Sequence, residues 1–494
     1  MKRTLPHWLS YHARTNPESP ALEFQGREWT YARLFTEVRA VAVNLREKGI
    51  DYGTRVAVLS RNHPTQIRIY HALTLLGAVI VPVNSKLTRE EIRWQLDNAG
   101  CRYLCYHEEL ESQLPADILP GDMIPFRECE VFDPPPAQQD RLRLEITLED
   151  ICTLFYTSGT TGKPKGVTLT YRNFFMSAMA SALNMGLLPT DNWLACLPLD
   201  HMGGFSILMR SLIYGTAVTL CEQFDPDTVR RHLSDSGITL ISLVPTMLER
   251  LLSGESPITH QLRAVLLGGG PATPDLVECA RRRELPVLRS YGMTETCSQI
   301  VTTPLRNPDT PPAASGKVLP FSSIKILNQK GAECPAGVTG EIVVSGPTIM
   351  EGYWRNPTAT NSTIIQGWLH TGDYGHLDAA GYLYVEARRE DLIVTGGENV
   401  SPEEVETAIR QTPGVRDVCV VGIPDPRWGE AVSAAVVPEP NAELDVETLR
   451  NSRYETLAPF KHPKHYLLVD AIPKTALGKP ERYKLRRLIA DSLG

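Results

Sequence analysis

Chemistry is concentrated in a few stretches of this 494-residue chain. Thr157, Ser158, Gly159, Thr160, Thr161, Gly162 and Lys163 run consecutively, followed by Pro164 and Lys165. Glycines let a backbone approach a ligand closely, and successive amides with hydroxyls make a cradle for anions. The two lysines add positive charge, so the run suits the polyphosphate of a nucleotide. The spacing is not that of the common nucleotide loop. Two residues separate Gly159 from Gly162 where that motif has four, and Pro164 follows Lys163 where it has Ser or Thr. A polar hairpin turn is the structural alternative.

Further along, Gly268, Gly269, Gly270 and Pro271 end an apolar run, and Ser290, Tyr291, Gly292, Met293, Thr294 and Glu295 follow one predicted helix later. Glycine-rich strand ends at the carboxyl edge of an open sheet are where such folds take ligands. Tyr291 is suited to stack on an adenine, Thr294 to bond a phosphate, and Glu295 to give Mg²⁺ a hard oxygen ligand. His201, followed by Met202, Gly203 and Gly204, stands between a predicted strand and a predicted helix. On that helix Arg210 is surrounded by Ile207, Leu208, Met209, Leu212 and Ile213. An arginine is almost never fully buried unless paired. This one must snorkel to water, meet a protein carboxylate, or meet a ligand anion. Ser242 lies near the end of a predicted strand, ahead of Pro245. On spacing alone, Gly372 with Asp373 is a turn, Arg388 to Asp391 a solvated charged turn, and Lys479 a lysine of a basic tail.

These residues need a scaffold that brings distant strand ends together. Residues 55–60 and 78–83 have the composition of buried strands, and helices are predicted over 32–48, 63–76, 87–99 and 171–185. Strands alternating with helices imply a parallel, helix-flanked sheet, an α/β fold. Further strands are expected at 218–220, 239–244, 264–267, 324–327 and 340–345. Residues 115–139, rich in Pro and Asp, are expected to form a surface loop. The tail is expected to be a compact α+β domain of ordinary size. There Ser401 and Glu404 form a capping box, Pro402 takes the first helical position, and 444–457 is helical.

The composition, 42% hydrophobic and 22% charged, is that of a globular chain. The net charge of -7 lacks the broad basic field of nucleic-acid binding. Ten cysteines without a CxxC pair point to reduced thiols and a cytoplasmic location. No apolar run has the length of a membrane span, and the start lacks a signal-peptide pattern. Homo-oligomerisation is left open.

Residues 156–166 resemble the phosphate loop of the adenylate-forming superfamily: acyl-CoA synthetases, firefly luciferase and the adenylation domains of peptide synthetases. The later motifs follow in that superfamily's order. The resemblance implies an adenylate-forming enzyme fold. Residues 1–389 would form a large N-terminal domain of helix-flanked sheets with a β-barrel-like subdomain, and residues 390–494 a small mobile C-terminal α+β domain. It implies ATP, Mg²⁺ and coenzyme A. The loop 157–163 would take the polyphosphate, Gly268 to Pro271 with Ser290 to Met293 would enclose the adenine end, and Asp373 and Arg388 would reach the ribose. Thr294 would meet the α-phosphate and Glu295 the magnesium. His201 would lie at the acyl pocket, Glu390 at the hinge, and Thr395, Gly396 and Gly397 on the CoA side. Lys479, in the matching Pro-Lys-Thr-x-x-Gly-Lys pattern, would bridge the attacking carboxylate and the phosphate. Two departures are Asp200, where an aromatic is usual, and Ala387, where glycine is usual.

Within the superfamily, residues 181–186, 266–272 and 290–302 look most like the o-succinylbenzoate–CoA ligases of menaquinone biosynthesis. That resemblance implies an acid with two carboxylates. One is activated; the other needs a cation, for which Arg210 stands out, with His201, Ser242 and Gly269 beside the acid. The implied reaction is adenylation of the acid by Mg·ATP, then displacement of AMP by the CoA thiol. The expected partners are therefore small molecules: the acid, ATP and CoA. Another aryl- or acyl-CoA ligase and a non-enzymatic nucleotide-binding protein remain as alternatives. Glu295, Asp373 and Lys479 together speak against the latter.

Overall fold

Strands of unbroken apolar residues must be covered on both faces, and this requirement sets the architecture. A computed structural model describes residues 4–115, 123–130, 142–157, 164–253, 258–270, 272–305, 310–387, 393–440, 442, 444–452, 454, 457–473 and 480–493. The chain forms two compact units. One comprises Met1–Ser85, Gln95–Tyr156 and Gly166–Glu386; the other comprises Lys86–Trp94, Thr157–Lys165 and Ala387–Gly494.

The first unit is built on three larger sheets. A seven-stranded sheet runs in the order Gly352–Tyr353, Lys165–Thr170, Ile151–Thr157, Val79–Val83, Arg55–Leu59, Tyr103–Tyr106, Met123–Pro125. Val79–Val83 is parallel to both of its neighbours and buried at every residue. A nine-stranded sheet has at its centre the parallel strands Ala217–Leu220, Asn192–Ala195, Leu240–Leu243, Ala264–Leu267 and Val287–Met293. The third sheet is antiparallel, with Ser323–Leu327, Gly340–Ser345 and Trp368–Leu377 side by side. In the nine-stranded sheet the carboxyl ends of three adjacent strands lead into Val244, Gly268 and Thr294. Residues far apart in sequence therefore meet at one sheet edge, the usual place for a ligand.

The second unit is organised on the hairpin of Val415–Asp425 and Gly429–Pro438, flanked by Ile393–Thr395, Glu398–Val400 and His465–Leu468. Its helix Pro402–Ile409 buries Val405 and Ile409; Arg482–Leu493 buries Leu485 and Ile489.

Three local expectations differ. Within the segment predicted as a loop over 115–139, Met123–Pro125 is a strand beside Tyr103–Tyr106, and Ile124, Phe126 and Cys129 are buried. Burial of these apolar side chains overrides the polar composition around them. Of the helix predicted over 444–457, the described residues show Val446–Asn451 as helix. Leu457 is buried from irregular chain, and Pro459 disfavours helix in the residue before it. The capping box is absent: the Ser401 hydroxyl makes no cap bond, and Glu404 accepts from Lys461 Nζ at 2.7 Å. Lys461 is only 4% exposed, and a buried ammonium claims a carboxylate more strongly than a backbone amide does.

Candidate active site

The helix Met202–Tyr214 can lie close to the chain before it because Gly204 has no side chain; a Cβ there would sit 2.2 Å from the Pro198 carbonyl oxygen. His201 caps this helix, and its Nε2 lies 3.1 Å from Asn84 Nδ2. Asp200 accepts from the Ser85 amide at 3.3 Å. Two turns along, Arg210 is 2% exposed. It donates to Ser206 Oγ at 3.3 Å and to Ser298 Oγ at 3.2 Å, and lies 5.7 Å from the centre of the Trp193 ring. Its Nε has no partner, and no carboxylate among the described residues pairs with it. Burial holds this guanidinium below its ordinary pKa, opposed by Tyr214 and Cys297 nearby. Ser242 is buried and accepts from Trp193 Nε1 at 3.2 Å, so it supports the ring that faces Arg210.

On the nucleotide-motif side, Tyr291 donates from its hydroxyl to Asp373 Oδ2 at 2.8 Å, both residues being buried. This brings together two motifs far apart in sequence. Asp373 lies within the strand Trp368–Leu377, not in a turn; Gly372 before it has φ +70° and donates to Glu341 Oε1. Gly268 sits against Ser290, whose Oγ would be 2.5 Å from a Cβ at that position. Gly269 has φ +76°, and Gly270 lies against Pro245. The triple glycine thus lines the edge between the ends of Leu240–Leu243 and Val287–Met293.

The strand Val287–Met293 ends in the short turn Thr294–Thr296, which carries Glu295. Tyr353 donates to Glu295 Oε1 at 2.9 Å, and the Met350 amide donates to the Glu295 carbonyl at 2.9 Å. Beyond the turn, Cys297 and Ser298 have φ of +52° and +82°. Left-handed backbone at a residue with a side chain costs about 1–3 kcal/mol and persists only where its surroundings enforce it. Here the Thr296 hydroxyl binds the Ser298 carbonyl at 2.7 Å, and Ser177 Oγ binds the Cys297 carbonyl at 2.8 Å. Gly292 leaves the room: a Cβ on it would stand 2.0 Å from the Ser298 oxygen.

In the second unit, Gly396 and Gly397, with φ of +57° and +83°, form the turn between paired Thr395 and Glu398. Positive φ at both central residues is the geometry of a tight hairpin, which accounts for the glycines locally. The Gly396 amide donates to the Trp428 carbonyl at 2.7 Å. Thr157 closes the strand Ile151–Thr157. Ser158, Gly159, Thr160, Thr161, Gly162, Lys163, Pro271, Arg388, Glu390 and Lys479 lie outside the described residues.

Among the described residues no group of three or more His, Cys, Asp or Glu is placed to hold a metal. A single carboxylate at Glu295 fits Mg²⁺, which is commonly held by one or two carboxylates together with substrate phosphates and water. No helix of the described residues is long and apolar enough to cross a membrane.

Four residues of this region were not singled out from the sequence: Trp193, Ser206, Ser298 and Tyr353. Ser206 precedes Arg210 by one helical turn, and that spacing is the sequence signal that could have found it. The other three arrive from separate strands.

The model of the AMP-binding enzyme family matches residues 9–354, and that of the AMP-binding enzyme C-terminal domain matches 404–479. A 2-succinylbenzoate–CoA ligase from Bacillus cereus is 40% identical over 490 residues, covering 99% of both chains. A double mutant of o-succinylbenzoate CoA synthetase from Bacillus subtilis, bound with its product analogue OSB-NCoA, superposes with a TM-score of 0.92 at 37% identity, over 98% of both chains. The same synthetase in complex with ATP and magnesium ion gives 0.76 at 36% identity, over 99% of this chain and 100% of that one. These likenesses establish the adenylate-forming fold.

Proposed function

This chain belongs to the AMP-binding enzyme family, and we propose that it is an ATP-dependent acid–CoA ligase acting on 2-succinylbenzoate in menaquinone biosynthesis. The reaction joins 2-succinylbenzoate, ATP and CoA into 2-succinylbenzoyl-CoA, AMP and diphosphate. The observation that carries the choice of acid is Arg210. A desolvated guanidinium supported by two hydroxyls and an indole face, with no carboxylate beside it among the described residues, is built to receive an anion. The acid has one carboxylate to activate and a second to offer that cation.

In the first step an oxygen of the reacting carboxylate attacks the α-phosphorus of ATP, and the bond to diphosphate breaks. Ser158, Thr160, Thr161 and Lys163 hold the polyphosphate, and Thr294 the α-phosphate. Asp373, oriented by Tyr291, accepts from the ribose with Arg388 beside it, while Gly268 to Pro271 and the Tyr291 ring enclose the adenine. Glu295 would hold Mg²⁺, which neutralises phosphate charge when bound. Lys479 bridges the attacking carboxylate and the phosphate, and His201 lines the acyl pocket. In the second step the CoA thiol attacks the acyl carbon and AMP leaves. Residues 390–494 move as a domain about Glu390 between the steps, and the turn at Thr395, Gly396 and Gly397 serves the CoA side. The cytoplasm, where ATP and CoA are plentiful, is the place assigned to this activity.

Diphosphate release measured across a panel of aryl and acyl acids, with and without CoA, tests the assignment. Highest kcat/KM for 2-succinylbenzoate and formation of its thioester are expected. Preference for a monocarboxylic acid would replace this reading with another acyl-CoA ligase, and absence of turnover with every acid would remove the enzymatic one.

A further inference from the structure

We propose that Ser298 is a positioning residue that gives the protein its selectivity for a two-carboxylate acid, by fixing the guanidinium of Arg210. The inference rests on the reading of Arg210 given above.

The guanidinium has two polar neighbours of different origin. Ser206 is on the same helix, and its hydroxyl donates to the Gly203 carbonyl at 3.0 Å, which leaves lone pairs for Arg210. Ser298 comes from another element and receives the second amino group at 3.2 Å. The two hydroxyls are 3.4 Å apart and so form a single platform beneath the guanidinium. A long side chain anchored along its own helix alone keeps several rotamers; a contact from a separate strand removes them. Hydroxyls have a further advantage over a carboxylate: they satisfy N–H groups without cancelling the positive charge. The cation is held in place and stays available to a substrate anion.

The backbone at Ser298 points the same way. The hydroxyl reaches Arg210 from two consecutive residues with positive φ, Cys297 and Ser298, neither of them glycine. That conformation is enforced by Thr296, by Ser177 and by the missing side chain of Gly292. Backbone strain of this kind gathers at ligand clamps. The product of this strained turn is one hydroxyl, placed on one buried cation.

The experiment compares the full-length enzyme and its variants on two substrates: 2-succinylbenzoate and the analogue in which its second carboxylate is replaced by hydrogen. The readout is the ratio of the two kcat/KM values. Ser298→Gly removes the hydroxyl and is at ease at positive φ; Ser298→Ala removes it and keeps the Cβ. Both should lower the ratio about tenfold, the effect of one hydrogen bond to a charged group. In an Arg210→Met background, Ser298→Gly should change the ratio less than about twofold, because the two residues act as a unit. Equal losses on both acids, or an unchanged ratio in both single variants, would overturn the inference. If Arg210→Met itself leaves the ratio intact, the Arg210 reading falls and this one with it. If Arg210→Met collapses the ratio and Ser298→Gly does not, this inference alone falls.

Discussion

Replacing Arg210 with methionine should move stability and acid binding in opposite directions. This arginine is buried without a counter-ion among the described residues. Exchanging buried charged groups for an apolar residue of similar volume is neutral or stabilising by about 1–4 kcal/mol. That range is a net value for the whole exchange, so the lost bonds to Ser206 and Ser298 are already within it. The expected net gain, toward the lower end of that range, is about 1–2 kcal/mol. In a chain of this length that corresponds to a rise of roughly 1–3 °C in the melting temperature, since 1 kcal/mol moves a domain of 150–250 residues by about 2–4 °C and larger ones by less. Acid binding should suffer instead. Truncating one partner of a buried charge pair costs about 2–5 kcal/mol, which is roughly thirtyfold to several thousandfold in affinity. Scanning fluorimetry with and without 2-succinylbenzoate reads the first quantity, and the KM for the acid in diphosphate release reads the second. A lower ligand-free melting temperature together with an unchanged KM would show that Arg210 is a structural residue, and the reasoning from its missing counter-ion would fail.

Tyr353→Phe deletes the 2.9 Å bond to Glu295 Oε1. It should raise several-fold the Mg²⁺ concentration needed for half-maximal ATP binding, measured by calorimetric titration; an unshifted Mg²⁺ dependence would separate Tyr353 from the metal-side carboxylate. Stability should also depend on acid through two buried histidines. Burial pushes His7 down to about 3, helped by the charge of His71, and pushes His71 down to about 4. Both folded values lie below the unfolded value near 6.5, so the unfolded chain binds more protons below that pH and stability is lost as pH falls from about 6.5 toward 4. The melting temperature should drop across that window and drop less steeply in His71→Leu, while identical slopes would place the acid sensitivity elsewhere.

The local periodicities carried much of the fold. The apolar spacing over 171–185 gave the helix Tyr171–Met185, and the unbroken apolar run at 78–83 gave the buried parallel strand Val79–Val83. Those signals are set within a few residues by helical or strand period, so tertiary packing had only to accept them. Local chemistry failed where a distant charge outbid it, as when Lys461 took Glu404 away from the predicted cap at Ser401.

The site divides in the same way. Residue type and neighbours alone marked Glu295, and marked Arg210 as a charge on an apolar helix in need of an anion. Three pairings were decided by tertiary structure: Arg210 with Ser298 over Trp193, Glu295 with Tyr353, and Asp373 with Tyr291. Each joins residues from separate elements, and their meeting depends on strand order, register and crossovers, which no short stretch of sequence specifies. The sequence determined which groups could do chemistry; the packing of the sheets decided which of them face each other, because hydrogen bonds act over about 3 Å while the chain between the partners spans tens of residues.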